Sequence, residues 1–115
     1  MAITFDWTSK TGSAYKKQTI ATTDPTVLLT DQQIKGAYRG VVLFVFSTAV
    51  GGDLTVNFID RDNNKRALQT TAVTSGTLSA IDFDFPIPRY EISWTSSADT
   101  SSDVSVEVFP YGAGK

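Results

Sequence analysis

Three observations predict an all-β chain. Apolar residues recur with period two, turn residues punctuate them at short intervals, and almost no segment carries a helical apolar stripe. Together they predict an antiparallel β-sandwich, jelly-roll or Ig-like, of about seven to nine short strands. The 115 residues fit one domain spanning 1–115. Thr (16) and Ser (11) are abundant, and charged residues are only 19%, against about 25% in a typical domain. Thr, Val and aromatic residues suit half-buried pleated strands.

The elements follow in order. Ile3, Phe5 and Trp7 alternate with Thr4 and Asp6, and Ser9 to Ser13 is a polar turn. Tyr15 to Thr22 reads as a polar extended segment. At Thr23-Asp24-Pro25, Pro25 sets its own φ and biases Asp24 toward extended geometry, which makes a turn. Val27 to Leu29 is a short strand. Asp31 to Lys35 is read as one helical turn, N-capped by Asp31 and ended by Gly36. Residues 1–36 complete the sandwich, exchange between subunits or form an arm; the sequence leaves these open.

Arg39 to Ser47 is the strongest strand. Gly51-Gly52-Asp53 is read as a turn from which Leu54 to Asp60 returns, and Arg61 to Asn64 as a second hairpin turn. Arg66 to Thr74 is the next strand, broken by Ser75 and Gly76. Ile81, Phe83 and Phe85 alternate with Asp82 and Asp84 until Pro86 and Pro88, which cannot join a central ladder. Tyr90, Ile92 and Trp94 alternate with Glu91 and Ser93. A polar loop, Thr95 to Ser102, leads to Val104, Val106 and Val108. Residues 110–115 are expected to form a mobile tail. Ile92, Trp94, Val104, Val106, Val56, Phe58 and Phe83 are expected to point inward. Trp7 shares parity with Ile3 and Phe5, and is assigned to the core with Trp94.

Composition excludes several chemistries. The chain has no Cys and no His. Disulfides, thiolate nucleophiles, His-based triads and His-ligated metals are therefore out of reach. The formal net charge of −2 argues against a broad nucleic-acid surface, which needs clustered Lys and Arg. No apolar run approaches the ~18 residues of a membrane-spanning helix, and the N-terminus lacks the pattern of a secretory signal. The expectation is a cytosolically made, non-enzymatic protein with no catalytic, cofactor or metal residues.

Four patterns could carry chemistry. Asp60-Arg61-Asp62-Asn63-Asn64 begins like a calcium loop, but Lys65 stands where Gly is needed and Thr71 where Glu is needed; a plain turn explains it. Asp82 and Asp84 share a strand face, read as a solvated side that also blunts an edge. Asp99 and Asp103 belong to a solvated turn. Tyr38 and Tyr111 are the candidate glycan contacts if the chain is a carbohydrate-binding or adhesion module.

The run Val41-Val42-Leu43-Phe44-Val45-Phe46 differs, because both of its faces are apolar. An isolated sandwich needs a polar outer face at alternate positions. If Val41, Leu43 and Val45 face the core, then Val42, Phe44 and Phe46 need a cover, as does Ile59. That cover is the N-terminal segment, a loop, or a partner subunit. The candidate subunit interface is Val42, Phe44, Phe46 and Ile59.

An ordered set of segments carries a resemblance over roughly the last two-thirds of the chain. It runs through Tyr38-Arg39-Gly40-Val41-Val42-Leu43, Ser47-Thr48-Ala49-Val50, Leu54-Thr55-Val56-Asn57-Phe58-Ile59-Asp60, Phe85-Pro86-Ile87-Pro88-Arg89-Tyr90 with Glu91-Ile92-Ser93-Trp94-Thr95, and Ala98-Asp99 with Val104-Ser105-Val106-Glu107-Val108. This set resembles short tailed-phage virion structural proteins of the head-decoration or minor-capsid type. Asn63-Asn64-Lys65-Arg66-Ala67 departs from that pattern, and the N-terminal third is not matched. The resemblance implies a virion component that binds the major capsid protein or other virion proteins, with a homo-oligomer, a trimer first, at a capsid axis. A tail or neck component is the nearest alternative.

Overall fold

In the computed structural model, which describes residues 13–34 and 38–112, the alternating segments become eight strands. They are β1 (Ala14–Ile20), β2 (Thr26–Gln33), β3 (Gly40–Ser47), β4 (Gly52–Ile59), β5 (Lys65–Val73), β6 (Ser79–Phe83), β7 (Arg89–Ser96) and β8 (Ser102–Tyr111). Two antiparallel four-stranded sheets result. Sheet A has the order β1-β8-β3-β6, and sheet B the order β2-β7-β4-β5.

The pairings identify the topology. β4 pairs with β5, β3 with β6, β2 with β7 and β1 with β8. That is a nested hairpin centred on the 61–64 turn. Rolling it up brings β3 beside β8 and β4 beside β7. The result is the double-sheet jelly roll, the first of the two expected topologies.

The core lies between the sheets. Val41, Leu43 and Val45 of β3 and Val104, Val106 and Val108 of β8 are buried, together with Leu54, Val56, Ile92 and Trp94 of sheet B. The inward set read from alternation is buried except Phe58, which is half-buried. Phe58 sits opposite Tyr90 on one side but opposite exposed Arg66 on the other, so only one flank is filled.

Several expectations are corrected. Asp31 to Gln33 do not start a helix; they end β2 after a register shift between Leu29 and Gln32. Asp31 has φ +45°, and its carboxylate is gripped by Arg89 rather than capping a helix. Lys35 and Gly36 lie outside the described residues, as does the expected strand Ile3 to Trp7. Gly51-Gly52-Asp53 is not a hairpin, because β3 and β4 lie in different sheets. The chain switches sheets there, and Gly52 and Asp53 already belong to β4. Pro110 and Tyr111 are no tail; both belong to β8. Among the described residues β1 pairs with β8 no further than Val108, so no described strand meets the missing N–H of Pro110. Phe85 lies past the end of β6 and is exposed, edge-on to Phe83 at 5.6 Å. Glu91, which alternates with the inward Tyr90 and Ile92, is nonetheless 5% exposed and paired with Lys65 at 2.8 Å.

Two buried serines close the sheet-switching corner. Ser47 Oγ donates to Val50 O at 2.5 Å, which leaves Ser102 Oγ to donate to Ser47 Oγ at 2.6 Å. Ser102 Oγ in turn accepts the amides of Ala49 and Val50 at 3.0 and 3.1 Å. Every hydrogen-bonding capacity of Ser102 Oγ is used.

Candidate functional site

The outer face of sheet A carries the unusual chemistry. Strict alternation along β3 sends Val41, Leu43 and Val45 inward and leaves Val42, Phe44 and Phe46 half-buried on the other side. Cross-strand register fills in their surroundings. Val42 is opposite Phe109, Phe44 is opposite Glu107, and Phe46 is opposite Ser105. Glu107 in turn is opposite Tyr15 of β1, which is 50% exposed. Phe44 and Phe109 meet edge-to-face, with ring centres 6.0 Å apart, a favoured geometry for aromatic quadrupoles.

Three of the four candidate interface residues therefore share one face. Ile59 does not join them: it lies in sheet B and is 4% exposed, so it is not presented to a partner. Leu68 forms a bulge in the β4–β5 pairing between Gln69 and Ala67. A bulge increases local twist, and the alternation of β4 lapses beyond it. Phe109 and Tyr15 complete the face. The signal for Phe109 was the continued period of β8, where Ser105, Glu107 and Phe109 take the side opposite the valines; Tyr15 joins only through the pairing of β1 with β8.

The tyrosines take other roles. Tyr38 packs partly buried against the core, and burial pushes its hydroxyl pKa up. Tyr111 donates its hydroxyl to Asp82 Oδ1 at 2.5 Å, and that bond raises its pKa. Arg39 lies 5.5 Å over the Tyr111 ring and 3.6 Å from Asp84. Gly40 makes room for this arrangement, since a Cβ there would lie 2.6 Å from both the Tyr111 ring and Phe83 O. Tyr38 and Tyr111 are thus engaged within the chain.

The acidic segments are also structural. Asp60 Oδ1 accepts the amides of Asp62 and Asn64, each at 2.9 Å, and Oδ2 meets Arg66 at 3.2 Å. The Asn64 amide is the main reason its carboxyl pKa is lowered. Asn63 takes φ +65° in the same turn. Asp99 accepts the Thr23 amide, and Asp103 the Thr19 hydroxyl. Arg89 holds both oxygens of Asp31 at 2.5 and 2.9 Å and reaches Asn63 Oδ1 at 2.8 Å. These bonds lower the Asp31 pKa and raise that of Arg89. The Pro88-Arg89-Tyr90 segment therefore ties β2 to the β4–β5 turn. Among the described residues, no three carboxylates gather as a metal site would need. A shallow depression of about 430 Å³ at the end of sheet B is lined by glycines, hydroxyls, Ala72, Val73 and Asp53, with no aromatic ring.

Tyr90 makes a pH prediction. Burial, and secondarily Tyr38, pushes its pKa above the ordinary tyrosine value. The unfolded chain ionises first, at about pH 10. Stability is therefore full below that pH and is lost as pH rises above it. Alkaline titration of unfolding is expected to show this loss, and Tyr90→Phe to reduce it. An unchanged profile in the variant would assign the loss to other groups.

No protein-family model matches the chain, and no curated protein does. Solved structures do match. One is the Yersinia pseudotuberculosis-derived mitogen, at 12% identity and TM-score 0.57, covering 92% of this chain and 91% of that one. A second is a Bacillus endospore appendage of a disulfide-linked pilus family, at 11% identity and TM-score 0.53, covering 99% and 100%. A third, at TM-score 0.43 and 11% identity over 88% and 87%, is a mutant of a family 29 carbohydrate-binding module. At these identities the likeness is one of fold, and a fold hosts many functions.

Proposed function

We propose that this protein is a non-enzymatic structural component of a tailed-phage virion, a decoration module that fastens onto the assembled head. The observation that carries this reading is the Val42, Phe44 and Phe46 stripe, half-buried on the outer face of an antiparallel sheet and extended by exposed Tyr15. Such a face favours a protein partner. The partner is the major capsid protein or another virion protein, and the location is the capsid surface. A module that binds the assembled lattice, and not its separated subunits, shifts the equilibrium toward the lattice. Many copies multiply a weak contact. A closed trimer about a capsid axis suits this role.

Immunogold labelling of particles from the strain that encodes the protein tests the location. Label over heads is the expected result. Label confined to tails would replace decoration with a tail or neck role, and unlabelled particles would overturn the virion reading. F44S/F46S tests the surface. It is expected to keep the fold and to lose at least about tenfold in affinity for heads, since two aromatic anchors at a contact contribute over 1 kcal/mol. Undiminished binding would remove this face from the mechanism.

A further inference from the structure

The two edges of sheet A are unbroken in register and oppositely charged. Among the described residues, β1 and β6 are its outermost strands. Neither the β1–β8 nor the β3–β6 pairing contains a register shift. Sheet B differs: its edge strands β2 and β5 are both irregular in register. Bulges are a common protection against edge-to-edge pairing, and sheet A lacks them. Its edges carry charge instead. β1 exposes Lys16 and Lys17, while β6 exposes Asp82, with exposed Asp84 just beyond it. Neither lysine has an ion-pair partner among the described residues. Among the described residues, Asp82 uses only Oδ1, toward Tyr111.

We propose that these edges join copies of this chain head to tail, with β1 of one copy adding to β6 of the next. Direction permits it. Three antiparallel steps separate β1 from β6, so the two strands run oppositely and a translated copy continues the antiparallel sheet. Side-chain parity permits it as well. Lys17 shares the outer face with Phe46 through Ser105, and Asp82 shares it with Phe109 through Val42. Setting Lys17 opposite Asp82 places Asp84 on the diagonal, within reach of a long side chain. Like edges repel: β1 against β1 opposes lysines, and β6 against β6 opposes aspartates. The same charges that prevent symmetric pairing select the head-to-tail one. A heterologous contact of this kind generates a ring if the rotation closes and a filament if it does not. One strand junction is a small interface, so each link is weak and concentration-dependent.

These edges adjoin the aromatic face, which reaches β1 at Tyr15, but the inference does not rest on that face. The test is light scattering over a wide concentration range at low and high salt. Wild-type mass is expected to rise with concentration at low salt and to fall on adding salt. K16E/K17E alone and D82K/D84K alone are expected to stay monomeric. Their equimolar mixture is expected to associate again, because each reversed edge then meets its complement. The K16E/K17E arm breaks no described contact, and decides alone if D82K/D84K does not fold. A wild-type mass that stays monomeric overturns the proposal, as does a mixture no heavier than its components when both variants fold. Association lost in F44S/F46S but untouched by the charge reversals would overturn it in favour of the aromatic face. Association that appears only after deletion of residues 2–12 would make the chain's own terminus the occupant of these edges, and would overturn it too.

Discussion

Trp94→Ala is expected to cost about 3–5 kcal/mol of folding stability, the range for a large aromatic removed from a core. Trp94 is fully buried, and in sheet B it sits between Leu54 and Thr26. Its ring edge lies under Gly52, where an added Cβ would come within 2.8 Å of Cζ2. No neighbouring side chain is placed to fill the space from that side. The indole Nε1 also donates to Ser96 Oγ at 2.8 Å, in a buried position. Truncation therefore removes apolar burial and strands a hydroxyl. Small domains have about 5–15 kcal/mol in total, so the variant would approach the limit of foldability. Urea unfolding checks this: the midpoint should fall sharply with little change in slope. A loss under about 1 kcal/mol would mean that the site collapses around the cavity.

Ser102→Ala is expected to cost about 2–4 kcal/mol, although it deletes a single oxygen. Ser102 Oγ satisfies the amides of Ala49 and Val50 and donates to Ser47, all at the buried sheet-switching corner. Alanine leaves two amides without that acceptor, and an unpaired buried donor costs about 1–3 kcal/mol. Ser47→Ala should cost less, because it leaves Val50 O without its donor and the Ser102 hydroxyl, which can rotate, without its acceptor, but strands no fixed amide. The double variant should cost less than the sum of the two, since both serines serve one network. A double-mutant cycle by urea unfolding measures this. Strict additivity would mean that the two hydroxyls act separately.

The candidate site was legible only in part. Val42, Phe44 and Phe46 were readable because period two is absolute along a strand: if the residues on either side face in, these face out. Phe109 was not, because Pro110 resembled the start of a tail. Both belong to β8, and no ladder bond between described residues is lost at the proline. Ile59 was misread by extending the β4 alternation past the point where β5 inserts Leu68. Tyr38 and Tyr111 were candidates because nothing local constrained them. Their constraints come from Arg39, Asp82 and the core, which meet them only in the folded chain.

The all-β class, the positions of most strands and most of the inward residues follow from local sequence, since alternation and turn chemistry act over a few residues. Tertiary structure decided which sheet each strand joins. Gly51-Gly52 reads locally like a hairpin, yet the buried Ser47–Ser102 pair, 55 positions apart, marks it as a corner between sheets. The edges were likewise decided by pairing. Lys17 and Asp82 are ordinary surface charges in the sequence, and they become the two borders of one sheet only because β1 closes against β8 and β6 against β3. Periodicity records which way a side chain points along its own strand; it holds no information about which strand lies beside it, because that depends on contacts between residues far apart in the chain.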